Sequence, residues 1–202
     1  MTTESQLADL EAKVAALSAD LAEMKDKEAL REGAILYARS IDRCDPETVV
    51  AIWHDDGVYE HFQTGVHTYA SAEERARETS AERASLIKEK TLIVSNTAIE
   101  LDGDVAYVES HGISYNTIEP EGKLVHYVRT LRWLDRWERR DGKTWKIAYK
   151  LCLHDGFERF EPAAPSPFIS QFYKDGFSKR GREDFVFQMK DRLRIEAAQF
   201  GR

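Results

Sequence analysis

The chain has 202 residues, of which 42% are hydrophobic and 32% are charged, a balance typical of one folded domain with short additions. Its formal net charge of −7 makes a nucleic-acid partner unexpected, because binding to phosphates needs a basic face. No stretch approaches the roughly 18 uncharged apolar residues of a membrane span, and the first residues contain no apolar signal sequence. Cys44 and Cys152 stand alone without a CxxC motif, which predicts a cytoplasmic protein with neither a disulfide nor a cysteine-based zinc site.

Residues 1–26 predict an N-terminal helical arm. Their apolar side chains alternate three and four positions apart, which is the a/d pattern of a coiled coil. Because the pattern is short, the arm is expected to pack either on its own domain or on a second copy of the chain. The apolar positions are Leu7, Leu10, Val14, Leu17, Leu21 and Met24.

The helix is expected to continue through residues 25–44, where an apolar stripe recurs at helical spacing. Asp45 then predicts an N-cap for a second helix, with Pro46 in the first turn, where no N–H group is needed. A capping box at Ser71–Glu74 predicts a third helix that ends near Ile87. The stripe of the first helix consists of Ala34, Ile35, Tyr37, Ala38 and Ile41.

The chain after these helices is rich in strand-forming residues. Turn signals at Asp102-Gly103, Glu119–Gly122 and Asp141-Gly142 separate the segments and predict an antiparallel meander. Helices followed by such a meander make an α+β domain, which we place at residues 27–160. Residues 161–202 are expected to form an irregular strap with a short terminal helix. The predicted strands are Val58–Phe62, Thr91–Leu101, Val105–Thr117, Lys123–Glu138 and Thr144–Leu153.

Asp42 is the first candidate for a chemical role. It follows Ile35 by seven positions and Ala38 by four, so helical periodicity places it on the apolar stripe and not on the solvated face. Burial there would raise the pKa of the carboxyl group and make it usable as a general base. The alternative is a capping or turn aspartate near the end of the helix.

Period-two alternation groups further polar residues with apolar ones on single strand faces. Tyr59 shares one face with His61, while His111 and Arg129 fall on two further faces that are largely apolar. Since an unpaired buried charge is costly, these residues either line a shared pocket or lie at the rim and at subunit contacts. The apolar companions are Tyr107, Ile113 and Tyr115 around His111, and Tyr127, Leu131 and Trp133 around Arg129.

No motif for a metal or a cofactor is present in the sequence. The six histidines include neither HxxxH nor HExxH, so no metal site is expected, although His61 and His67 could lie close together in the fold. The absence of GxGxxG, GxxxxGKS/T and GxSxG argues against nucleotide, flavin and serine-hydrolase chemistry. We therefore expect a function that needs no cofactor.

Three segments resemble the SnoaL-like branch of the nuclear-transport-factor-2-like superfamily, over roughly residues 25–160. They are ILYARSIDRCDPETVVAIWHDDGVYEHF, SNTAIELDGDVAYVESHG and LRWLDRWERRDGKTWKIAYK, of which LDRWERRDG is the most specific. The resemblance implies a cone-shaped domain, in which about three helices wrap a strongly curved antiparallel sheet, and often a trimer. The superfamily includes dehydratases, dehydrochlorinases, ketosteroid isomerases, epoxide hydrolases and non-catalytic subunits, so the fold does not determine the activity.

The first helices are most similar to those of hexachlorocyclohexane dehydrochlorinases and bile-acid dehydratases. The resemblance implies that Asp42 is functional and that Tyr37 matches a tyrosine of the bile-acid enzymes. In both groups the aspartate orients a histidine that removes a proton, but the matching position near Leu92 or Ile93 holds no histidine here. Another group must therefore serve as the base if the protein is an enzyme. The pocket-facing positions that the resemblance implies are Tyr59, His111, Arg129, Trp133 and Lys150.

A phenolic substrate would suit a pocket of this composition. The cations of Arg129 and Lys150 favour a phenolate, which can expel a benzylic hydroxyl as water and then lose formaldehyde with the help of a base such as His61 or His111. The diarylpropane formaldehyde-lyases of lignin-dimer breakdown belong to the same superfamily and use this type of chemistry. Catalytic roles are expected from Asp42, Tyr59, His61, His111 and Tyr37, and substrate contacts from Arg129, Lys150, Trp133 and Tyr127.

The leading hypothesis is thus a cofactor-independent lyase that eliminates water, a halide or formaldehyde from a small aromatic substrate. A second hypothesis is a non-catalytic module, either a ligand carrier or a subunit like the small subunit of ring-hydroxylating dioxygenases. The missing histidine and the N-terminal arm favour this second hypothesis. A third is a ketosteroid-type isomerase that uses the same carboxylate as a proton shuttle. A homo-oligomer, with a trimer favoured, is expected in each case.

Overall fold

A computed structural model describes residues 3–62, 65–67, 74, 87–161, 180–181 and 184–187. The predicted α+β fold class is confirmed, and each predicted strand is present with its ends shifted by a few residues. In chain order the elements are helices α1 (Thr3–Arg43) and α2 (Pro46–Ala51), strands β1 (Trp53–His61), β2 (Gly65–His67), β3 (Ile87–Asp102) and β4 (Val105–Ile118), a 3-10 turn (Pro120–Gly122), strands β5 (Val125–Glu138) and β6 (Lys146–Phe160), and a second 3-10 turn (Phe185–Phe187).

Helix α1 is one continuous helix of 41 residues that includes the predicted arm. Every residue from 3 to 25 is exposed, so this part of α1 packs on no other described part of the chain. The helix meets the domain at Asp26, whose Oδ1 accepts hydrogen bonds from Arg139 Nη1 at 2.7 Å and from Trp145 Nε1 at 3.0 Å. From Leu30 onward the helix is buried along Ala34, Tyr37 and Ala38, whereas Ile35, which the sequence placed on the same stripe, is 57% exposed. The exposed residues 3–25 are called the arm below.

Helix α2 begins as the sequence predicts. The backbone N–H of Thr48 donates to Asp45 Oδ1 at 3.3 Å, and the Thr48 hydroxyl donates to Asp45 Oδ2 at 2.8 Å. Pro46 occupies the first turn, where its missing N–H costs no hydrogen bond. The cap turns the chain sharply between α1 and β1, so that both elements contribute to the same core.

The six strands form one sheet in the order β2-β1-β6-β5-β4-β3. All neighbours are antiparallel except β1 and β6, which run parallel, whereas the sequence predicted an antiparallel sheet throughout. Parallel neighbours need a long connection along the chain. Strands β2, β3, β4 and β5 lie between β1 and β6 in the sequence and provide this connection. The predicted turns are present, and Gly103 and Gly142 have φ values of 60° and 68° there.

The core lies between α1, α2 and one face of the sheet, which we call the inner face. Two glycines allow tryptophan rings to pack closely there: a Cβ on Gly33 would lie 2.6 Å from the Trp137 ring, and one on Gly112 would overlap the Trp133 ring. On β4 the inner face carries small residues because these rings need the space. The buried core consists of Leu30, Tyr37, Val49, Trp53, Tyr59, Ala106, Val108, Leu131, Trp133, Trp137, Trp145, Ile147 and Cys152.

Arg180 ties the C-terminal segment to the end of α1. Its Nε and Nη2 donate to the backbone carbonyl oxygens of Asp42 and Ile41, each at 3.0 Å. Its Nη1 donates to the carbonyl oxygen of Ile87, where β3 begins, at 3.1 Å. The last carbonyl groups of a helix lack partners within the helix, so an arginine at this place satisfies and stabilises the helix end.

Several sequence predictions concern residues that the structure does not describe. The predicted third helix lies outside the described residues apart from Glu74, which is helical, and Ile87, its expected end, which instead begins β3. Most of the predicted strap after residue 161 lies outside them too. Both cysteines are free and buried. None of the described helices carries an apolar stretch long enough to cross a membrane.

Candidate active site

A cavity of about 210 Å³ lies between the helices and the inner face of the sheet. Both helices and strands β1, β3, β4, β5 and β6 contribute to its walls. Its aromatic walls are formed by Tyr37, Trp53, Tyr59 and Trp133, and its aliphatic walls by Ile41, Val49, Leu92 and Leu131. The polar groups that line it are His61, Lys90, Ser114, Arg129, Cys152 and His154.

The aromatic walls pack edge to face. The Tyr37 ring centroid lies 6.4 Å from that of Trp53 and 6.3 Å from that of Trp133, and the Trp53 and Tyr59 centroids are 6.3 Å apart. Such pairs are favourable because the ring edges are positive and the faces negative. This packing fixes Tyr37 and Tyr59, two residues predicted from the sequence, in the cavity wall.

Tyr59 is a neutral phenol at the cavity surface. Burial raises its pKa well above the ordinary value, and its contacts with Tyr37 and Cys152 add to the effect. A phenol with a raised pKa keeps its proton at neutral pH. Tyr59 can therefore donate a hydrogen bond, but at neutral pH it is poorly suited to transfer a proton or to serve as a base.

Two cations, Lys90 and Arg129, border the cavity. Burial lowers the pKa of Lys90 to about 8, and the nearby charges of Arg129 and Arg180 contribute to this shift. Arg129 donates from Nη2 to Ser114 Oγ at 3.4 Å. At neutral pH most Lys90 side chains are still protonated, so the cavity favours an anionic group on its ligand.

Asp42 is buried, as its place on the apolar stripe predicts, with 8% of its surface exposed. Its Oδ2 accepts a hydrogen bond from the backbone N–H of Leu92 at 2.9 Å. Burial raises the pKa of the carboxyl group, and this hydrogen bond and the charge of Lys90 oppose the rise. Asp42 thus lies behind the cavity wall, where it joins α1 to β3 at the strand segment that also carries Lys90.

His61, Cys152 and His154 come together on β1 and β6. His61 is the register partner of Cys152, and His154 lies two residues further along β6, on the same face. The imidazole centroids of His61 and His154 are 5.5 Å apart. Burial and the charge of Arg129 lower the pKa of His154, which keeps this imidazole neutral. The group offers two imidazoles and one thiol to the cavity, and these are also metal-ligand types.

Lys150 does not line the cavity, in contrast to its predicted role as a substrate-binding cation. It is 1% exposed, and its Nζ lies 2.6 Å from Asp135 Oδ2 and 4.2 Å from the Tyr37 ring centroid. Burial raises the pKa of Asp135, and the charge of Lys150 opposes this rise. The charge of Lys150 is therefore neutralised inside the core, under the aromatic wall, and Lys90 takes the predicted position of a second cavity cation.

His111 and Tyr127 also lie away from the cavity. His111 is on the outer face of β4, with 45% of its side chain exposed and its Nε2 at 3.3 Å from Glu109 Oε1. Alternation correctly groups His111 with Tyr107 and Tyr115, but that face is the outer one, and its placement in the pocket was wrong. Tyr127 lines an adjoining cavity of about 280 Å³, to which Arg129 also contributes.

Four polar residues of the cavity were not predicted from the sequence: Lys90, Ser114, Cys152 and His154. Period-two alternation places Lys90 on the same face as Leu92, and Cys152 and His154 on one face of β6. This signal was available in the sequence, but it gains meaning only when β1 and β6 are known to be neighbours. The parallel pairing of these strands is what brings His61 to Cys152.

Solved structures with the same fold confirm the predicted cone-shaped architecture. Hexachlorocyclohexane dehydrochlorinase (LinA) type 2 has a TM-score of 0.64 at 16% identity, covering 73% of this chain and 99% of that chain. A candidate scytalone dehydratase from Novosphingobium aromaticivorans DSM 12444 has a TM-score of 0.58 at 16% identity, covering 75% of this chain and 96% of that one. The β subunit of a candidate aromatic-ring-hydroxylating dioxygenase from the same organism has a TM-score of 0.53 at 16% identity, covering 67% and 92%.

Comparison of the sequence with protein-family models identifies the family of this chain. No curated protein matches the chain significantly. Residues 22–150, more than half of the chain, match the SnoaL-like domain. This range includes α1 from the end of the arm, the whole sheet up to Lys150 and most of the cavity lining. The chain belongs to the SnoaL-like domain family.

Proposed function

We propose that the protein is a cofactor-independent lyase that acts on a small phenolic compound, such as a lignin-derived diarylpropane diol. The observation that carries the proposal is the cavity, where two cations, two tyrosines and two histidines meet within aromatic walls. Two proteins with the same fold are named as a dehydrochlorinase and a candidate dehydratase. Their names support elimination as the class of reaction.

In the first step, Lys90 and Arg129 stabilise the phenolate of the substrate. Its electron pair moves through the ring and breaks the benzylic C–O bond, which leaves a quinone methide. Tyr59 stays protonated and donates a hydrogen bond to the leaving hydroxyl group. The proton that the phenol released on ionisation joins this hydroxide, which leaves as water, so the step is balanced without a cofactor.

In the second step, His61 accepts the proton of the neighbouring hydroxymethyl group. The C–C bond breaks, formaldehyde leaves, and the bonding electron pair restores the aromatic ring to give a stilbene. His154 stays neutral beside His61, so it does not oppose the positive charge that His61 acquires. Asp42 touches no substrate in this scheme and is a positioning residue that holds β3 through Leu92.

The two cavities that share Arg129 support a substrate with two aromatic rings. One ring would occupy the cavity that Tyr37 and Tyr59 line, and the other would occupy the adjoining cavity beside Tyr127. Arg129 borders both cavities, so its guanidinium group is within reach of a ligand that occupies either of them. A diarylpropane diol has this arrangement of two rings on a short polar linker.

Incubation with a phenolic diarylpropane diol tests this proposal. We expect formaldehyde and the matching stilbene in equal amounts, measured by a formaldehyde assay and by ultraviolet absorbance. The same diol with its phenol O-methylated is the matched control and should not react, because it cannot form a phenolate. A phenolic diol that binds in the cavity and yields neither product would contradict the proposal.

Lys90 predicts a pH dependence of phenolate binding. With a pKa of about 8, its side chain is charged below this pH and neutral above it, so affinity for 4-nitrophenolate should fall as the pH rises through about 8. Losing one charge-assisted hydrogen bond of about 1.5 kcal/mol weakens binding about tenfold. Titration calorimetry between about pH 7 and about pH 10 measures this. Lys90→Arg should remove the pH dependence of the affinity, because arginine stays charged over this range. If the affinity of this variant falls with pH as it does in the wild type, Lys90 is not the titrating group.

We also propose that the protein forms a homo-oligomer, with a trimer expected. The arm exposes its whole apolar stripe, for example 58% of Leu10 and 67% of Leu17. The outer face of the sheet exposes further large side chains, with 50% of Tyr107 and 36% of Leu134 accessible. A second copy of the chain carries the same two apolar surfaces and can therefore cover them. If two arms pair in parallel, Asp20 of one arm would lie opposite Lys25 of the other, at the positions that flank the apolar seam of a coiled coil.

Charges placed on the apolar stripe of the arm should weaken this assembly. Leu10→Glu with Leu17→Glu is expected to lower the mass measured by sedimentation velocity at micromolar concentration, because a carboxylate cannot be buried cheaply between arms. Ala12→Glu with Ala19→Glu adds the same charge on the opposite side of the helix and should leave the mass unchanged. A wild-type monomer, or equal effects of both pairs, would contradict the proposal.

A non-catalytic assembly subunit in the cytoplasm is the second candidate function. The exposed arm favours it, as does the shared fold with the β subunit of a candidate dioxygenase. Stable co-purification with a larger iron–sulfur chain, together with no turnover of phenolic diols, would support this candidate over the lyase. A catalytically active homo-oligomer would exclude it.

A further inference from the structure

The cluster of His61, Cys152 and His154 is arranged as a set of metal ligands. One potential ligand atom from each residue lies within 4.8 Å of the other two. The backbone fixes this arrangement, because His61 and Cys152 are register partners on adjacent strands and His154 follows on the same face of β6. Ligands on paired strands hold their relative positions better than ligands on loops.

Small side-chain rotations would bring the three atoms to metal-binding distance. Tetrahedral Zn²⁺ has Zn–S bonds of about 2.3 Å and Zn–N bonds of about 2.0–2.1 Å, which places neighbouring ligand atoms roughly 3.3–3.6 Å apart. The atoms therefore need to approach by up to about 1.5 Å, which changes in the side-chain torsion angles can provide.

The chemistry of the three ligands selects a class of metal. Two imidazole nitrogens and one thiolate suit borderline and soft ions such as Zn²⁺ and Co²⁺, whereas Mg²⁺ and Ca²⁺ prefer oxygen. The thiol proton is released when the metal binds. Three protein ligands leave a fourth position, and the cavity that these residues line gives that position access to a small molecule.

We infer that His61, Cys152 and His154 form a three-ligand site for Zn²⁺ or a similar divalent transition-metal ion, with an open position that faces the cavity. Lys90 and Arg129 border the same cavity, and their positive charges oppose a cation there. The negative charge of the Cys152 thiolate, and that of any anion bound at the open position, reduces this repulsion between the metal ion and the two cations. The site is thus expected to be an exchangeable one, weaker than a closed structural zinc site.

This inference goes beyond the proposed lyase. A metal bound to His61 occupies the imidazole that the lyase uses as its base, so the metal-bound protein should be inactive towards the phenolic diol. Metal binding and elimination are therefore alternative states of one cavity. Binding is measured without substrate, so the site can exist even if the lyase activity does not.

Co²⁺ added to the reduced, metal-free protein provides the test. We expect one equivalent of Co²⁺ to produce a thiolate-to-metal charge-transfer band in the near ultraviolet and the intense visible bands of tetrahedral Co²⁺. Cys152→Ser should abolish the charge-transfer band, and His154→Ala should abolish the tetrahedral visible spectrum. Zn²⁺ should displace Co²⁺ and bleach both signals.

The chain offers a matched control for each ligand type. Cys44 is the only other cysteine and is also buried, and His111 lies on the outer face of the sheet, so Cys44→Ser and His111→Ala should keep the full spectrum. Circular dichroism of each variant verifies that it is folded. No thiolate band in the wild type, or a band that survives Cys152→Ser, would overturn the inference. Formaldehyde release from the phenolic diol in a chelating buffer tests the lyase separately.

Discussion

His61→Ala is expected to lower kcat/KM for a phenolic diarylpropane diol by at least about 100-fold. In the proposed reaction His61 accepts the hydroxymethyl proton as the C–C bond breaks, and a positioned base contributes roughly 10²–10⁴-fold to such steps. Water expulsion does not need this base, so the quinone methide should still form. Initial rates of formaldehyde release and a stopped-flow search for the quinone methide measure the two steps separately.

The outer-face residue His111 supplies the comparison for this variant. His111→Ala removes the same side chain from a half-exposed place outside the cavity and should keep the wild-type rate. If His61→Ala retains the wild-type kcat, His61 is not the base, and the geometry then leaves His154 or Lys90 for that role. Equal losses in both variants would point to a general effect of removing a histidine.

Asp135→Ala is expected to reduce the free energy of unfolding by about 3–5 kcal/mol. The side chains of Lys150 and Asp135 are 2% and 0% exposed, and their charged atoms lie 2.6 Å apart. Removing the carboxylate leaves an ammonium group buried beneath Tyr37 without its counter-charge, which is among the most costly single changes in a core. Urea unfolding followed by tryptophan fluorescence measures the loss.

The double variant Asp135→Leu with Lys150→Met separates the charge from the packing. Replacing both members of a buried pair with apolar side chains is often neutral or stabilising, so most of the lost stability should return. If Asp135→Ala costs less than about 1 kcal/mol, the ammonium has found water or another partner, and the description of a sealed pair is wrong. The pair then no longer explains why Lys150 is missing from the cavity.

The local structure of this chain was largely predictable because local interactions determine it. The N-cap of Asp45 with Pro46 depends on neighbours only three residues away, and Gly103 and Gly142 mark turns that need a positive φ. The parallel pairing of β1 with β6 was not predictable in this way. It joins residues about ninety positions apart, and alternation within one strand carries no information about which strand lies beside it.

The site was predictable only where the identity of the inner face was clear. On β4 the apolar Tyr107 and Tyr115 suggested that their face was buried, yet they are 50% and 45% exposed. The inner face instead carries Ser110, Gly112 and Ser114, and the Trp133 ring packs directly against Gly112. Hydrophobicity on one strand is therefore misleading when a neighbouring strand supplies the bulk, and this reversal accounts for the misplacement of His111.

Charges were harder to place than apolar residues. Lys90 and Lys150 are both lysines on strands with apolar neighbours, but only Lys150 has a buried carboxylate as its register neighbour, Asp135 on β5. The pairing depends on the alignment of β5 with β6, which sequence periodicity does not provide. The burial of Asp42 was predictable from its spacing of four to the buried Ala38, although Ile35, seven positions before it, is 57% exposed.

The contacts of Arg180 have a consequence for the order in which the protein matures. A ribosome completes α1 and all six strands before it adds Arg180, so the sheet can form while the end of α1 still lacks its final hydrogen bonds. Ile41, a residue of the cavity wall, is held by this late contact. The last hydrogen bonds at the end of α1, beside the cavity, therefore depend on a residue that is added after the whole sheet has been synthesised.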